Sequence, residues 1–550
     1  IPFLFAWGKI RRKIINFSSY NFIKAIYKPF IWKKYNKIFE KQIKKHQKFN
    51  YQDWIKHVEK SLLKKLKNKS KKSSIWTLLE NLDQVELKKV NWVIAKKQNS
   101  KLSKNINDIV NFINTSNEKI DIAYGDEDHI SNYNQRSDPI FKPSWNRELF
   151  WSDPFYSSHW IISFKLFNEV FKKPRFYKNI TYEELTFKLI EYILKKKRSS
   201  NIKHLPFIVS HRLSRYYNFY DNYFLEDYKK KLFKHISEVI SQNIKVKEDN
   251  LDRRNLFITW PLPKKTLLTV IIPTKDKLSL LERCINSLYK YSPGCDLEII
   301  IVNNNSFEKS THIYLDEFKE KSTPNCLTKV INYHDVFNYS KINNLAVQKS
   351  SGDTILLLNN DVEFKTSNWG INLASNAHRS DIGCVGAKLL FEDNTVQHAG
   401  VILGIGGVAG HSHKYFNSNS EGYCRRLNLV QEYCAVTAAC LCITKFKWLK
   451  IGGLDEINLS VNYNDVDFCL RARQHNLKNI YLPYVKALHL ESKTRGKPQG
   501  ETYIQWRKEY KFMQKKWTNL LHQDPFYSPH LSKLEEDWSI SINETDILIR

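Results

Sequence analysis

Three short stretches bring together residue types that hold metal ions and move protons. "TILLLNNDVEF" (354–364) sets an apolar run directly against Asn359, Asn360, Asp361 and Glu363. A strand ending in Asn-Asn-Asp presents hard oxygen ligands, which suit Mg²⁺ or Mn²⁺ and so a diphosphate. In "VNYNDVDFCLRARQHNL" (461–477), Asn464 can cap a helix whose first turn holds Asp465 and Asp467. The helix dipole favours carboxylates there without any catalytic role, yet after the Gly-rich "IGGLDE" one of them could serve as a general base. "ALHLES" with "KTRG" behind it offers His489 as a metal ligand and Lys493 and Arg495 as phosphate clamps. The glycines of "QHAGVILGIGGVAGHSH" (397–413) suit a close backbone approach or a mobile loop.

The elements that must position these residues follow an α/β rhythm. "LLTVIIP" reads as a strand, "LSLLERCINSLYKY" has helical spacing, "LEIIIVNNNS" is a second strand with a polar end, and "THIYLDEFKE" is helical again. A strand near "TKVINY", a helix over about 339–349 and the strand "TILLL" follow, which predicts a parallel sheet with helices on both faces. Thr274 and Asp276, Asn303 to Ser306, and Asn359 to Asp361 then stand at the carboxyl ends of three strands, where open α/β sheets bind ligands. There is no G-x-G-x-x-G and no P-loop, so dinucleotide and P-loop chemistry are disfavoured.

The chain of 550 residues is long enough for two to four domains, and 42% hydrophobic content implies that most of it folds. Its net charge of +31 implies attraction to polyanions, and residues 1–72 alone hold 21 Lys/Arg against three Asp/Glu. That arm, with aromatics interleaved, suits an anionic membrane surface, or is simply a solvated basic helix. Charge alone suggests nucleic acid; no recognised module supports it. No apolar run approaches the roughly 18 to 20 residues of a spanning helix, and "IPFLFAW" lacks the charged n-region of a secretory signal. Nine cysteines without C-x-x-C spacing argue against disulfides and zinc and fit a reducing cytoplasm, with "AVTAACLCI" read as a buried strand.

The runs "TVIIPTKD", "EIIIVNNNS", "FNYSKINNLAV", "LLLNNDVE", "GCVGAKLLF", "VQHAGVILGIGGVAGH", "AVTAACL", "GGLDE", "NDVDFCLR", "LHLESKTRG" and "DPFYSPHLS" stand in an order that resembles glycosyltransferase family 2, of the type used in bacterial O-antigen and surface polysaccharide assembly. The resemblance implies a GT-A fold, a Rossmann-like mixed sheet, over residues 267–531. It assigns Thr274, Asp276 and Asn303 to the nucleotide, and Asn343, Asn344, Asn359, Asp361 and Arg495 to the donor and its diphosphate. Asp361 and His489 would hold a divalent cation, Mn²⁺ or Mg²⁺, and Asp465 would be the catalytic base, with Gln397, His398 and Asp467 on the acceptor side. The implied reaction is an inverting transfer from a UDP- or dTDP-sugar to a glycan or lipid-linked glycan, at the cytoplasmic face of the membrane. Asn303 and Asn359 replace the family's usual aspartates, which bears on donor preference. Glu363, past the motif, is expected to be a solvated side chain.

The first half carries a fainter likeness to the same family in "IDIAYGDEDHISNYNQRSDPIFKPSWNRELF" and "IKHLPFIVSHRL". Lysines stand in "VNWVIAKKQNS" where the metal strand should end, and "YEEL" stands where the base should be, so this unit is expected to be catalytically dead. The expected order is a basic arm (1–75), a degenerate transferase-like unit (76–255), a linker (256–266), the catalytic unit (267–531) and a tail (532–550). A non-catalytic glycan- or partner-binding protein on the same fold is the alternative reading.

Overall fold

The computed structural model describes residues 50–69, 74–80, 89–116, 118–153, 158–172, 180–213, 222–240, 243–249, 253–490 and 500–541. The basic arm before residue 50 and Arg495 lie outside these residues.

The second half is built on one mixed sheet. Its main strands are β1 (Leu267–Thr274), β2 (Asp296–Asn304), β3 (Cys326–Tyr333), β4 (Thr354–Leu358), β5 (Val362–Phe364), β6 (Ile382–Leu390), β7 (Cys440–Thr444) and β8 (Lys478–His489). They lie in the order β3-β2-β1-β4-β7-β6-β8-β5. β1 to β4 run parallel, as their alternation with helices predicts. β7 is antiparallel to both β4 and β6, and β6 and β8 are again parallel. The sheet is therefore mixed, as the family resemblance implies, and not wholly parallel as the alternation alone suggested. β1, β4 and β7 are rich in Val, Ile and Leu and buried on both faces, the pattern of central strands covered by helices. Helix Leu278–Lys290 shows how they are covered: Leu280, Leu281, Cys284, Ile285 and Leu288 recur at helical spacing and turn inward. β1, β2 and β4 all end at one edge, so their polar terminal residues meet there.

The first half has its own sheet, ordered Trp76–Leu78, Trp92–Lys96, His159–Ser163, Ile122–Ile130, Ile202–Arg212 and Ser100–Leu102. Its first five strands pair parallel, antiparallel, antiparallel and parallel. That is the succession joining β1, β4, β7, β6 and β8, with the strands in the same chain order.

The halves share buried contacts. Trp54, Phe141 and Phe207 of the first half pack in one cluster with Leu390, Tyr433, Tyr527, Leu531 and Trp538 of the second. The Asn146 side chain bonds the Glu432 backbone twice, accepting from its N–H at 3.1 Å and donating to its carbonyl at 3.0 Å. Glu148 accepts from Arg379 at 2.7 and 2.9 Å, and the Arg379 guanidinium lies 4.0 Å from the Trp260 ring centroid.

Three expected boundaries shift accordingly. Tyr51, Trp54, Val58, Leu62 and Leu66, placed with the arm, are core residues, because the helical run they share has an apolar face. The expected linker contains strand Leu256–Thr259 and the buried Trp260. Trp538, placed in the tail, is also buried. All nine cysteines are free. No helix among the described residues is long and apolar enough to cross a membrane.

Candidate active site

After Leu358 the chain turns through Asn359, Asn360 and Asp361 into β5. Val362 pairs with His489 at the end of β8, and the Leu490 N–H donates to the Asp361 carbonyl at 3.0 Å, so strand register sets Asp361 beside His489. His489 Nε2 lies 3.2 Å from Asp361 Oδ1 and 3.3 Å from Asn359 Nδ2. His489 Nδ1 meets Gln397 Oε1 at 2.7 Å. An amide oxygen only accepts, so Nδ1 carries the hydrogen, and in the neutral ring Nε2 presents a lone pair. Asn359 Nδ2 can donate to that lone pair; Asp361 Oδ1 has only negative charge to offer it. Two electron-rich atoms buried this close call for a proton or a cation between them.

Among the described residues no three His, Cys, Asp or Glu side chains cluster as a metal cage. One carboxylate and one imidazole could nevertheless start a donor set for Mn²⁺ or Mg²⁺, with further oxygen ligands completing it; the Asn359 amide would join that set by turning its oxygen, which faces Tyr339, toward the pair. Glu363 lies outside the set. It is not the freely solvated group the sequence suggested: Arg283 at 3.0 Å and Lys365 both pair with it.

The ends of β1 and β2 are tied into a polar frame beside this pair. Thr274 Oγ1 accepts from Asn360 Nδ2 at 3.0 Å. Asp276 Oδ1 accepts from the Phe307 and Glu308 N–H groups, both at 2.9 Å, and Asn303 Oδ1 accepts from the Ser306 N–H at 3.0 Å. The three residues thus stand at one edge of the sheet: Asp276 binds the β1 loop to the β2 loop, Asn303 closes a turn within the β2 loop, and Thr274 ties β1 to the turn after β4.

The side chains of Asn343 and Asn344, expected to help hold the donor, bond to the protein itself. Asn343 lies on the buried face of helix Tyr339–Lys349, where its Nδ2 donates to the Tyr339 carbonyl at 2.8 Å. Asn344 is committed to the following loop: it donates to the Leu454 carbonyl at 2.9 Å and Glu456 Oε1 at 2.7 Å, and accepts from the Leu454 N–H at 2.9 Å. A Cβ on Gly453, where φ is +69°, would come within 2.6 Å of the Asn344 side-chain oxygen, so glycine keeps this contact open. Asn344 thus braces the loop at Leu454, while the Asn343 bond lies within its own helix.

The braced loop leads to Asp465, the second residue of helix Asn464–Gln474. Its carboxylate accepts from the Ala438 N–H at 3.0 Å and the Val466 N–H at 2.8 Å. Burial pushes its pKa up, against the pull of these N–H groups. Tyr339 joins it to the side of Asp361 and His489: its hydroxyl lies 3.0 Å from the Ala438 carbonyl and 3.4 Å from Asn359 Oδ1. A continuous chain of contacts therefore runs from Asp361 through His489, Asn359, Tyr339 and Ala438 to Asp465.

Two expected acceptor-side residues are placed otherwise. Asp467 is fully buried and is occupied by Arg471 at 2.8 Å, Lys516 at 2.7 Å and Trp517 Nε1 at 2.9 Å, because it points to the helical-core side while Asp465 does not. His398 is also fully buried; its Nε2 accepts from the Gly400 N–H at 3.3 Å and its Nδ1 lies 2.9 Å from His411 Nδ1. Burial and then the neighbouring histidines hold its pKa well below the ordinary value, so it is neutral and donates through Nδ1 to His411. Gln397 serves behind His489, not in front of it. Tyr339 and this role of Gln397 have no local sequence signal; both arise from partners 20 or more residues away.

Residues 269–403 match the family described as Glycosyl transferase family 2. The chain is 33% identical over 433 residues, 76% of its length, to a protein of Sinorhizobium fredii named Uncharacterized protein y4gI. It is 27% identical over 434 residues, 77% of its length, to O-antigen biosynthesis protein RfbC of Myxococcus xanthus. It spans 46% and 32% of the lengths of these two relatives. Among solved structures it is similar to GalNAc-T7 bound to UDP, GalNAc and Mn²⁺, with 15% identity and a TM-score of 0.38 over 48% of this chain and 50% of that one.

Proposed function

We propose that this chain, whose residues 269–403 match glycosyltransferase family 2, is an inverting glycosyltransferase that moves a sugar from a nucleotide donor to a surface glycan. The observation that carries this reading is the run of contacts linking Asp361 and His489 to Asp465. In this reading Asp361 and His489, with Asn359 beside them, hold a divalent cation. That ion, when bound, neutralises charge on the departing diphosphate. Asp465 removes the proton from an acceptor hydroxyl as its oxygen attacks the anomeric carbon from the face opposite the diphosphate, which inverts that centre. Thr274, Asp276 and Asn303 frame the nucleotide end of the crevice.

A screen of UDP-, dTDP- and GDP-sugars with and without Mn²⁺ tests the assignment. Metal-dependent consumption of one donor is the expected result. A folded protein silent across the panel would favour the glycan-binding alternative.

Gln397 gives a separate check. Its carbonyl holds the His489 tautomer and ring orientation from the Nδ1 side, and loss of such a partner typically costs about 10- to 100-fold in metal affinity. Gln397→Leu is expected to weaken Mn²⁺ binding by about that factor, read by electron paramagnetic resonance titration in the presence of nucleoside diphosphate. Unchanged Mn²⁺ affinity would remove Gln397 from the site.

For the first half we propose a non-catalytic role as a scaffold or acceptor-docking unit. Its sheet repeats the strand order and pairing senses of the second half. One residue past Trp92–Lys96, where Asn359 follows β4, stands Lys97. The second residue of helix Tyr182–Lys195, the place Asp465 holds in its own helix, is Glu183. Lys97 and Glu183 form an ion pair at 3.2 Å, a cation in the metal's place and a carboxylate neutralised by it. Association with an anionic membrane surface through the basic arm belongs to the same proposal and rests on composition alone.

A further inference from the structure

Helix Gly500–Lys516 grips the loop that carries Asp465, and the grip is concentrated in one side chain. Glu509, 3% exposed, accepts from Ser460 Oγ and the Val461 N–H on one oxygen, both at 3.0 Å. Its other oxygen accepts from the Asn462 N–H at 3.0 Å and from Asn462 Nδ2 at 2.6 Å. Gln505 Nε2 reinforces the arrangement, donating to Ser460 Oγ at 2.6 Å. The same loop is held from the opposite side by Ser340, whose N–H donates to the Ser460 carbonyl at 3.2 Å and whose hydroxyl donates to the Leu459 carbonyl at 2.5 Å.

Between these fixed residues and Asp465 stands Tyr463, at φ +59°. For a tyrosine that left-handed conformation is strained, and it persists only where its surroundings impose it. Trp506 Nε1 donates to the Tyr463 hydroxyl at 3.1 Å, so the same helix holds this residue as well. The strained turn aims the first turn of helix Asn464–Gln474, and hence the Asp465 carboxylate, at the Ala438 N–H.

We propose that Glu509 is a positioning residue for Asp465: it anchors residues 460–462 so that the strained turn at Tyr463 sets the carboxylate in its working place. This rests on the reading of Asp465 as the base. All four loop donors fall on the two oxygens of a single carboxylate, which no neutral side chain of the same shape can satisfy. In Glu509→Gln the new amino group would face either Val461 and Ser460, where the Val461 N–H loses its acceptor while the Ser460 hydroxyl can turn to accept, or the two Asn462 donors, where both bonds are lost.

The experiment has two arms. Hydrogen exchange on the full chain, which needs no substrate, should show faster exchange at Val461, Asn462 and the 464–467 segment in Glu509→Gln, with the central strands unchanged. Kinetics with whichever nucleotide sugar the parent consumes should show kcat lower by about 10- to 100-fold, since displacements near 1 Å cost that much. The donor Kd should stay within about threefold, because Asp361 and His489 are untouched. A general loosening would instead weaken donor binding and speed exchange in the central strands. Unchanged exchange at 464–467, or a kcat within about threefold of the parent, overturns the proposal. Asp465→Asn measured alongside separates the two readings: if it turns over normally, the base assignment fails; if it is inactive while Glu509→Gln is normal, only the positioning role fails. Should Glu509→Gln not accumulate as folded protein, Asn462→Ala removes only the 2.6 Å side-chain bond and should move exchange and kcat in the same directions.

Discussion

Asp465→Asn should bind nucleotide sugar as the parent does and lose about 10²- to 10⁴-fold in turnover, the usual worth of a positioned general base. The substitution is nearly isosteric, and its side-chain oxygen can still accept from the Ala438 or Val466 N–H. What disappears is the capacity to take a proton at pH 7. Donor affinity should be spared because Asp361, His489 and Gln397 form a separate set joined to Asp465 only through Asn359, Tyr339 and Ala438. The parent's rate should also fall as pH drops through the Asp465 pKa, since only the carboxylate accepts a proton. Burial raises that pKa, so the acid limb should lie above the range of an exposed aspartate, near 3.9. A steady-state comparison with a donor-binding isotherm decides the matter. Turnover within tenfold of the parent would remove Asp465 from the mechanism.

The largest expected effect on stability is at Glu148. Its carboxylate is 2% exposed and receives both Arg379, across the contact between the halves, and Arg147. Glu148→Ala would leave Arg379 stacked on Trp260 without its partner and Arg147 with Asp381 as its remaining acid partner. Breaking a buried pair from one side typically costs about 3 to 5 kcal/mol, because the charge left behind is no longer compensated. Urea unfolding should show a loss of that size. A loss below about 1 kcal/mol would mean that water reaches the pair and screens it. Acid should act on the same group: burial alone would raise its pKa, but Arg379 and Arg147 outweigh burial and hold it at about 2. The stability it contributes is present above the ordinary glutamate pKa of about 4.3 and is lost as pH falls from there toward about 2.

These two residues illustrate what was legible in the sequence. The place of Asp465 in the fold was legible because its signal is local: a helix start with a carboxylate in its first turn, behind paired glycines, although Tyr463 and not Asn464 stands at the cap position and no side chain caps the helix. Asp361 and the apolar strand before it were legible for the same reason, and so was the α/β alternation up to β4. Glu148 carried no signal, since its arginine partner Arg379 is 231 positions away. Asn344 and Asp467 looked functional by motif, yet long-range partners occupy them: the loop at Leu454 and Glu456 for one, Lys516 and Trp517 for the other. The antiparallel turn of the sheet at β7 was invisible to alternation for a related reason. "CLCIT" is a buried strand in either direction, and only its partners set its sense.

The core shared by the two halves also dictates an order of events during synthesis. Trp54 packs edge-on against His530 at 4.9 Å, His530 Nε2 donates to the Pro206 carbonyl at 3.0 Å, and Tyr527, Leu531 and Trp538 complete the same cluster. The ribosome adds roughly 5 to 20 residues per second, so the early sheet waits a quarter of a minute to a minute for the side chains that cover it. Throughout that interval the nascent chain exposes a large apolar face, a natural client surface for holding chaperones. This shared core is complete only when the segment carrying Tyr527, Leu531 and Trp538 has been made and inserted.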